Sequence, residues 1–435
     1  MKEILFVMKI NMGECKELRI TNYEMGMEKK KLKKKIVKKT VASKKAKLLK
    51  VKTKKKKVVK IKTKKITLNK KTILKSKKTV KNTEKKLKLK KSLSNPIMKP
   101  RLYSWESQAV FNPAAIYVGG RVHLFYRALG NDGISRFGYA SSKDGINFDD
   151  RLFYPVYFLN EVEETKKHWP YTSPARPIYD TIYASGGGWG GCEDPRTVII
   201  DGVLYMTFNV FNGWGSMRVA VVSIKEEDLL NKKWIWQNFA YLSKPGDRQK
   251  NWVLFPEKFN GKFAIFHNLD IGDPNRVGVT YVNKLDHNET PQGKDAPDPQ
   301  VLPDNIIAWH KRTRSAASPP IKTKDGWLLL YHAMDKIDGN RYKLGAMLLD
   351  LYDPSKVICR AQNPILEPDL WYENDWKPGI IYASGAVIKD DQLYVYYGGG
   401  DKYVGVASIK LETLIKGMKE NATVKLTKNK KMKIE

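Results

Sequence analysis

From Arg101 onward the chain runs in short stretches where Tyr, Trp, Phe, Val and Ile alternate with polar residues, broken by Gly, Asp and Asn. A period of two puts one parity on a buried face, so these stretches predict strands. Helical periodicity is rare, and its best case, around Glu226–Leu230, is short. Lining up the breaks exposes a repeat. NPAAIYVGGRVHLFYRA starts at Asn112, DPRTVIIDGVLYMTFNV at Asp194, FPEKFNGKFAIFHN at Phe255, SPPIKTKDGWLLLYHA at Ser318 and GAVIKDDQLYVYYG at Gly385. Each is an apolar strand, a tight GG, DG, NG or DD turn, and an alternating strand ending in aromatic and polar residues. Such turns close two-stranded hairpins.

A second, shorter strand echo follows most of the hairpins: RFGYASSKDG from Arg136, RVAVVSI from Arg218, RVGVTYV from Arg276, YKLGAMLLDL from Tyr342 and YVGVASI from Tyr403. Recurrence of about four strands every ~60–80 residues is the pattern of a β-propeller, so the fold expected is all-β, a five-bladed β-propeller. A β-sandwich with similar hairpins is the bland alternative, and five echoes of both halves weigh against it. In a propeller, equivalent positions face one central channel. The second strands end at Arg127, Asn209, His267, His332 and Tyr397, all polar, which predicts a polar central site. For Asn209 alone, a satisfied buried amide is the simpler reading.

Charge separates the chain into unlike parts. Residues 1–100 carry 36 Lys and one Arg against six Glu, so nearly all of the net +35 lies there and the body is close to neutral. Residues 28–91 have no aromatic, Pro or Gly, and like charges there repel. The domains expected are a disordered lysine-rich tail over 1–95, a catalytic propeller over 101–415, and a basic C-terminal tail over 416–435. The N-terminal tail is either a solvated extension or a non-specific binder of polyanions such as nucleic acid. Cys15, Cys192 and Cys359 are scattered without a CxxC, which favours a reducing compartment. The apolar run Ile4–Met8 is too short for a signal-peptide core, and no run of 18 apolar residues suggests a membrane span. The expected location is cytoplasmic. The six His form no HxH or HxxxH pair, so no metal site is expected.

The most telling motif is GCEDPR, where a glycine-rich SGGGWGG leads into Glu193, Asp194 and Arg196. Neighbouring side chains on a strand point to opposite faces, so only one of the two carboxylates is expected at the channel. Asp194 stands where Asn112 stands in the first repeat. A carboxyl at the mouth of a polar channel can act as a general acid; an Asp-Pro turn paired with Arg196 is the structural alternative. The Tyr-, Trp- and Pro-rich segment 156–191 is either a surface insertion or an aromatic wall for a sugar ring, with His168 and Trp169 as candidates.

FNPAAI, YRA, DGISRFGYASSKDG, GCEDPR, KNWVLFPEKFNGKFAIFH, SPPIKTKDGWLLLYHA, YKLGAMLLDLYDP, NPILEPD, YE and YYGGGD occur in an order that resembles glycoside hydrolase family 130 over roughly residues 104–410. The resemblance implies a five-bladed propeller acting on β-mannosides, in most members as an inverting phosphorylase and in some as a hydrolase. Asp194 matches the family's general acid. Asn112, Arg127 and Asp401 match positions that hold the mannosyl residue, and Lys250, Asn251, His332 and Tyr342 match phosphate-contacting positions, with Arg314 as a further basic ligand. Two departures touch the phosphate half: Asn268 stands where phosphorylases have Arg, and RSAASPP from Arg314 replaces a glycine-rich stretch.

The first expectation is therefore an inverting β-mannoside phosphorylase, a glycosyltransfer between phosphate and an acceptor sugar, with inorganic phosphate as co-substrate and no other cofactor. The alternatives are a β-mannosidase and a non-catalytic sugar-binding propeller. An inverting hydrolase needs a second carboxylate to activate water, and Glu373 is the candidate base, with a rim residue as its structural reading. A phosphorylase needs cations and donors for a dianion instead. The expected partners are a β-mannoside or manno-oligosaccharide and phosphate, with the oligomeric state, homo-oligomer included, left open.

Overall fold

The computed structural model describes residues 87–159, 185–188, 190–212, 217–268, 276–290, 309, 312–334 and 341–426. In chain order its strands are β1 (Lys90–Lys91), β2 (Ala109–Val118), β3 (Arg121–Leu129), β4 (Ile134–Ser142), β5 (Asp150–Arg151), β6 (Gly190–Ile200), β7 (Val203–Phe211), β8 (Met217–Lys225), β9 (Gln237–Tyr241), β10 (Val253–Phe259), β11 (Lys262–Asn268), β12 (Gly278–Val282), β13 (Arg312–Ala316), β14 (Ile321–Thr323), β15 (Gly326–Met334), β16 (Lys343–Leu349), β17 (Val357–Arg360), β18 (Ile381–Lys389), β19 (Gln392–Gly399) and β20 (Tyr403–Lys410). Among the described residues, α1 (Glu226–Leu230) follows β8 and α2 (Leu411–Leu426) follows β20.

The strands form five antiparallel meanders: β2–β5, β6–β9, β10–β12, β13–β17, and β18–β20 with β1. All five predicted hairpins are present, as β2–β3, β6–β7, β10–β11, β14–β15 and β18–β19. The first two meanders are linked by a short parallel pairing of Ile134 and Ser135 with Gly190 and Gly191.

Each meander buries both faces, and each of the main apolar clusters lies between two consecutive meanders. Phe125 and Tyr139 of the first pack with Leu204, Met206 and Phe208 of the second. Val198 and Val221 pack with Trp252, Leu254 and Ile265. Val253 and Phe255 pack with Trp327, Leu329 and Tyr331. Leu328 and Leu330 pack with Ile381, Val395 and Tyr397. The last cluster joins the fifth meander to the first through Val387, Tyr396 and Val404 against Val110, Leu124 and Tyr126. On β15, odd residues therefore face one neighbour and even residues the other, as a period of two requires. The first strands of these meanders also pack in sequence: β18 on β2, β2 on β6 and β6 on β10.

The body begins earlier than the composition change at Asn95-Pro96 suggests. β1 pairs with β20, Lys90 opposite Ser408, and Leu89 is buried in the fourth-to-fifth cluster. An N-terminal strand thus completes the last meander. The lysine bias hides it because one strand at a sheet edge needs only one apolar anchor. The expected boundary at 95 is corrected to 86 or before, and residues 1–86 lie outside the described residues. The expected basic tail from 416 is likewise corrected, since Leu411–Leu426 is helical and buries Leu414, Ile415 and Met418.

Structure also corrects the repeat register at two positions. The rings of Tyr126, Tyr331 and Tyr397 each fill the space where a Cβ would stand on Gly138, Gly345 and Gly405 across the sheet. These three tyrosines are equivalent and face the preceding meander. Gly398, not Tyr397, is the counterpart of Arg127 and His332. Tyr397 instead bonds Tyr372 Oη at 2.7 Å and donates to Glu373 Oε1 at 2.9 Å. His267 bonds Thr280 Oγ1 through Nε2 at 3.0 Å beside the Trp252 ring, and burial lowers its pKa to about 4. Sequence pattern shifted these units by one residue because an aromatic-polar pair looks alike in either register.

Candidate active site

The site is built where the first strands of the meanders are bulged. Between Phe111 and Ala114, β2 holds one residue more than its partner, and β6 does the same between Glu193 and Arg196. Similar irregularities fall in β13 before Ser315 and in β18 before Gly385. A bulge bends the strand and re-aims its side chains. In the first two meanders it falls on an X-Pro pair, with Asn112 and Asp194 in left-handed backbone at φ 45° and 51°. Asn and Asp tolerate that region better than most residues.

This bulge overturns the expected alternation at Glu193 and Asp194, because both carboxylates reach the same guanidinium. Arg127 Nη2 donates to Glu193 Oε1 at 2.9 Å, and Nη1 lies 3.5 Å from Asp194 Oδ1. Arg127 Nε donates to Ser135 Oγ at 3.0 Å, its Nη2 also donates to the Ser185 carbonyl, and its plane covers the Phe111 ring at 4.7 Å. Ser185 Oγ donates to Glu193. Asn112 Nδ2 donates to Asp194 Oδ1 at 2.7 Å. All four polar groups, Asn112, Arg127, Glu193 and Asp194, are buried.

Their environments push the two carboxyls apart. Burial raises Glu193 to about 7, with Arg127 only partly opposing it and the Asp194 charge adding to the rise. Burial also acts upward on Asp194, but Arg127, Arg196, the Asn112 hydrogen bond and Lys250 together hold it below the usual carboxylate range. Lys250 thus lies within electrostatic reach of both acids. Asn251 follows it in left-handed backbone at φ 63°, and Asn209 fixes it twice: Asn251 N–H donates to Asn209 Oδ1 at 2.8 Å, and Asn209 Nδ2 to Asn251 Oδ1 at 3.0 Å. The satisfied-amide reading of Asn209 fits this geometry.

A second group stands beside the acids. Arg196 donates from Nη1 to the Asp194 carbonyl at 2.5 Å and from Nη2 to Tyr382 Oη at 3.2 Å. Tyr382 stacks on His332 with centroids 4.1 Å apart, and burial raises its phenol to about 12. His332 is fully buried; its Nε2 accepts from Ala383 N–H at 2.9 Å and its Nδ1 lies 3.2 Å from Ser315 Oγ. The Tyr342 ring lies 6.4 Å from that of Tyr382. Asp401 pairs with Lys377 at 3.2 Å, and that charge raises the Lys377 pKa, with Tyr342 and Arg127 also within its field.

The structure therefore gathers Asn112, Arg127, Asp194, Lys250 and Asn251, and joins His332 to the group through Tyr382 and Arg196. Asp401 and Tyr342 connect to it through Lys377. Arg314 lies on β13 with its side chain outside the described residues, as His168 and Trp169 are entirely. Glu373 lies elsewhere in its contacts. It is fully buried and accepts from Lys91 Nζ at 2.7 Å, Tyr397 Oη, and the Asp369 and Leu370 N–H groups at 2.8 Å. Four donors make it a clasp for the N-terminal strand, and none of them belongs to the Asp194 group. Sequence reading missed Tyr382, Ser315 and Lys377. Position in the repeat could have found Tyr382, which precedes the β18 bulge as Phe111 precedes that of β2.

A model of the family described as beta-1,4-mannooligosaccharide phosphorylase matches residues 184–420. The chain is 38% identical to a 1,2-beta-oligomannan phosphorylase of Thermoanaerobacter sp., over 73% of this chain and 96% of the relative. It is 35% identical to a beta-1,2-mannobiose phosphorylase of the same organism, over 73% and 95%. Its fold resembles that of beta-1,2-mannobiose phosphorylase from Listeria innocua, with TM-score 0.55 and 22% identity over 76% of this chain and 99% of the other. The chain belongs to glycoside hydrolase family 130, the mannoside phosphorylase family.

Proposed function

We propose that this protein is an inverting β-mannoside phosphorylase, and that its five meanders are the blades of a five-bladed β-propeller closed by β1. Support for the propeller is the cyclic order of the apolar clusters, which ends with the fifth meander packed on the first. Support for the activity is one observation above the rest: Asp194 is held by Asn112 and Arg127, with Lys250 and Arg196 close enough to depress its pKa.

The roles proposed are those that the family resemblance implies. Asn112, Arg127 and Asp401 hold the mannosyl residue. Asp194 is the general acid for the leaving oxygen. Lys250, Asn251, Arg314, His332 and Tyr342 form the side that receives phosphate. Phosphate attacks the anomeric carbon from the opposite face, so mannose leaves as the α-1-phosphate and no carboxylate base is required. The cations that depress Asp194 in the free protein give it a way to be protonated on demand. A phosphate dianion beside Lys250 offsets that charge and raises the proton affinity of Asp194. Against the hydrolytic reading stands the setting of its candidate base, since Glu373 accepts from four donors.

Relatives named for β-1,2 linkages make β-1,2-mannobiose the first substrate to assay. Lys250→Ala should raise KM for phosphate roughly tenfold or more while KM for the mannoside changes little, because one charge-assisted contact is lost. Equal increases in both KM values would remove Lys250 from the phosphate side.

A further inference from the structure

The hydrogen bonds among His332, Ser315 and Tyr382 constrain where their protons sit. His332 Nε2 accepts the Ala383 N–H at 2.9 Å, so that nitrogen carries a lone pair. A neutral imidazole must then hold its proton on Nδ1, which faces Ser315 Oγ at 3.2 Å and donates to it. Ser315 Oγ also lies 3.2 Å from Tyr382 Oη, and Tyr382 Oη accepts from Arg196, which can only donate. Ser315 and Tyr382 thus bring two hydroxyl hydrogens to a pair whose mutual contact uses one. Among the described residues, the second has no acceptor. Tyr382 is buried and Ser315 half-buried, so the spare donor lies at the edge of the site rather than in bulk water.

A spare donor in such a place calls for an acceptor-only ligand. We propose that the Ser315 hydroxyl, with Tyr382 behind it, binds the phosphate co-substrate, and that His332 is a positioning residue acting through Ser315 as a neutral Nδ1–H tautomer. This rests on the phosphorylase reading above. It differs from the family resemblance, which puts His332 itself on the phosphate. Location supports it. The neighbouring Ala316 and Ala317 carbonyls accept from Arg196, the same guanidinium that donates to the Asp194 backbone, so Ser315 stands beside the reacting groups. Accepting the imidazole N–H leaves Ser315 only its own hydrogen to direct, and a phosphate oxygen is a stronger acceptor than a phenol.

Initial-rate kinetics with β-1,2-mannobiose and varied inorganic phosphate test the assignment. Ser315→Ala should raise KM for phosphate about 10- to 100-fold, the usual worth of a hydrogen bond to a charged group, with KM for the mannoside within about threefold. Ser315→Thr keeps the hydroxyl and should recover most of the loss. His332→Asn, alone and combined with Ser315→Ala, separates the roles. If His332 acts through Ser315, its effect on phosphate KM largely disappears in the Ser315→Ala background. If the two effects multiply, His332 contacts phosphate directly and the assignment is wrong. An unchanged phosphate KM in Ser315→Ala would also overturn it. Turnover by the unaltered protein that ignores phosphate altogether would instead sink the phosphorylase reading.

Discussion

Asn112 and Asp194 occupy the same place in two successive meanders, and they touch: Nδ2 of one donates to Oδ1 of the other at 2.7 Å. Each precedes a proline, each sits at a bulge, and each has left-handed backbone. The repeat supplies one geometry twice and the side chains differentiate it, an amide as donor and a carboxylate as acceptor. Asp194→Asn keeps the shape and removes the proton. Turnover of β-1,2-mannobiose should fall about 10²–10⁴-fold, the usual worth of general acid catalysis. An aryl mannoside with a good leaving group should lose much less. Equal losses on both substrates would mean that Asp194 holds the site together rather than donating a proton.

Glu193 predicts a pH dependence of stability. Its folded pKa, about 7, lies above the ordinary value of 4.5. A group raised in this way contributes stability fully below its unfolded pKa and loses it as pH rises through the folded one. The window is therefore about pH 4.5 to 7. Glu193→Gln cannot titrate, so the thermal midpoint of wild type relative to this variant should be highest near the acid end and decline toward neutrality. Asp194 has the opposite sign and is present in both proteins, so it does not account for the difference. Parallel curves for the two proteins would place the Glu193 pKa near normal.

Lys91 and Glu373 predict where the chain can be cut. Glu373 is fully buried, and Lys91 is its ion-pair partner from the edge strand. Lys91→Met leaves a buried carboxylate without its cation, which costs about 3 kcal/mol. Removal of residues 1–86 should leave the thermal midpoint near that of the full chain, whereas removal of 1–96 also takes Leu89, β1 and Lys91 and should lower it markedly. Similar midpoints for the two truncations would contradict the role given to β1.

Asn209 touches Asn251 through both ends of its amide. Asn209→Ala leaves the Asn251 N–H without its acceptor and frees a left-handed residue next to Lys250. Phosphate KM should rise about tenfold with the mannoside KM little altered, consistent with the loss of roughly 1–2 kcal/mol of hydrogen bonding. Equal changes in both would indicate a general distortion.

The hairpins and the acid motif were legible in the sequence because strand period and turn chemistry are local signals. Asp194, Asn112 and Arg127 came together as the repeat alignment required. Three features were not legible, each for a physical reason. The bulge at Asp194-Pro195 brings Glu193 and Asp194 to one guanidinium, and strict alternation has no means of announcing an extra residue. Tyr397 and Gly398 are offset from the expected register because Gly398 makes room for Asn112, whose Oδ1 fills the space where a Cβ would stand. The edge strand at Lys90–Lys91 is hidden in lysine because its pairing uses backbone, and its long side chains serve as surface and as the partner of Glu373.

Whether phosphate or water takes the mannosyl group separates the proposed phosphorylase from a hydrolase. The most direct measurement is the product formed from β-1,2-mannobiose with and without inorganic phosphate, followed by ³¹P and ¹H NMR from the first turnovers. A phosphorylase forms α-mannose 1-phosphate and free mannose in equal amounts, and only when phosphate is present. Two equivalents of mannose at a rate indifferent to phosphate would contradict it.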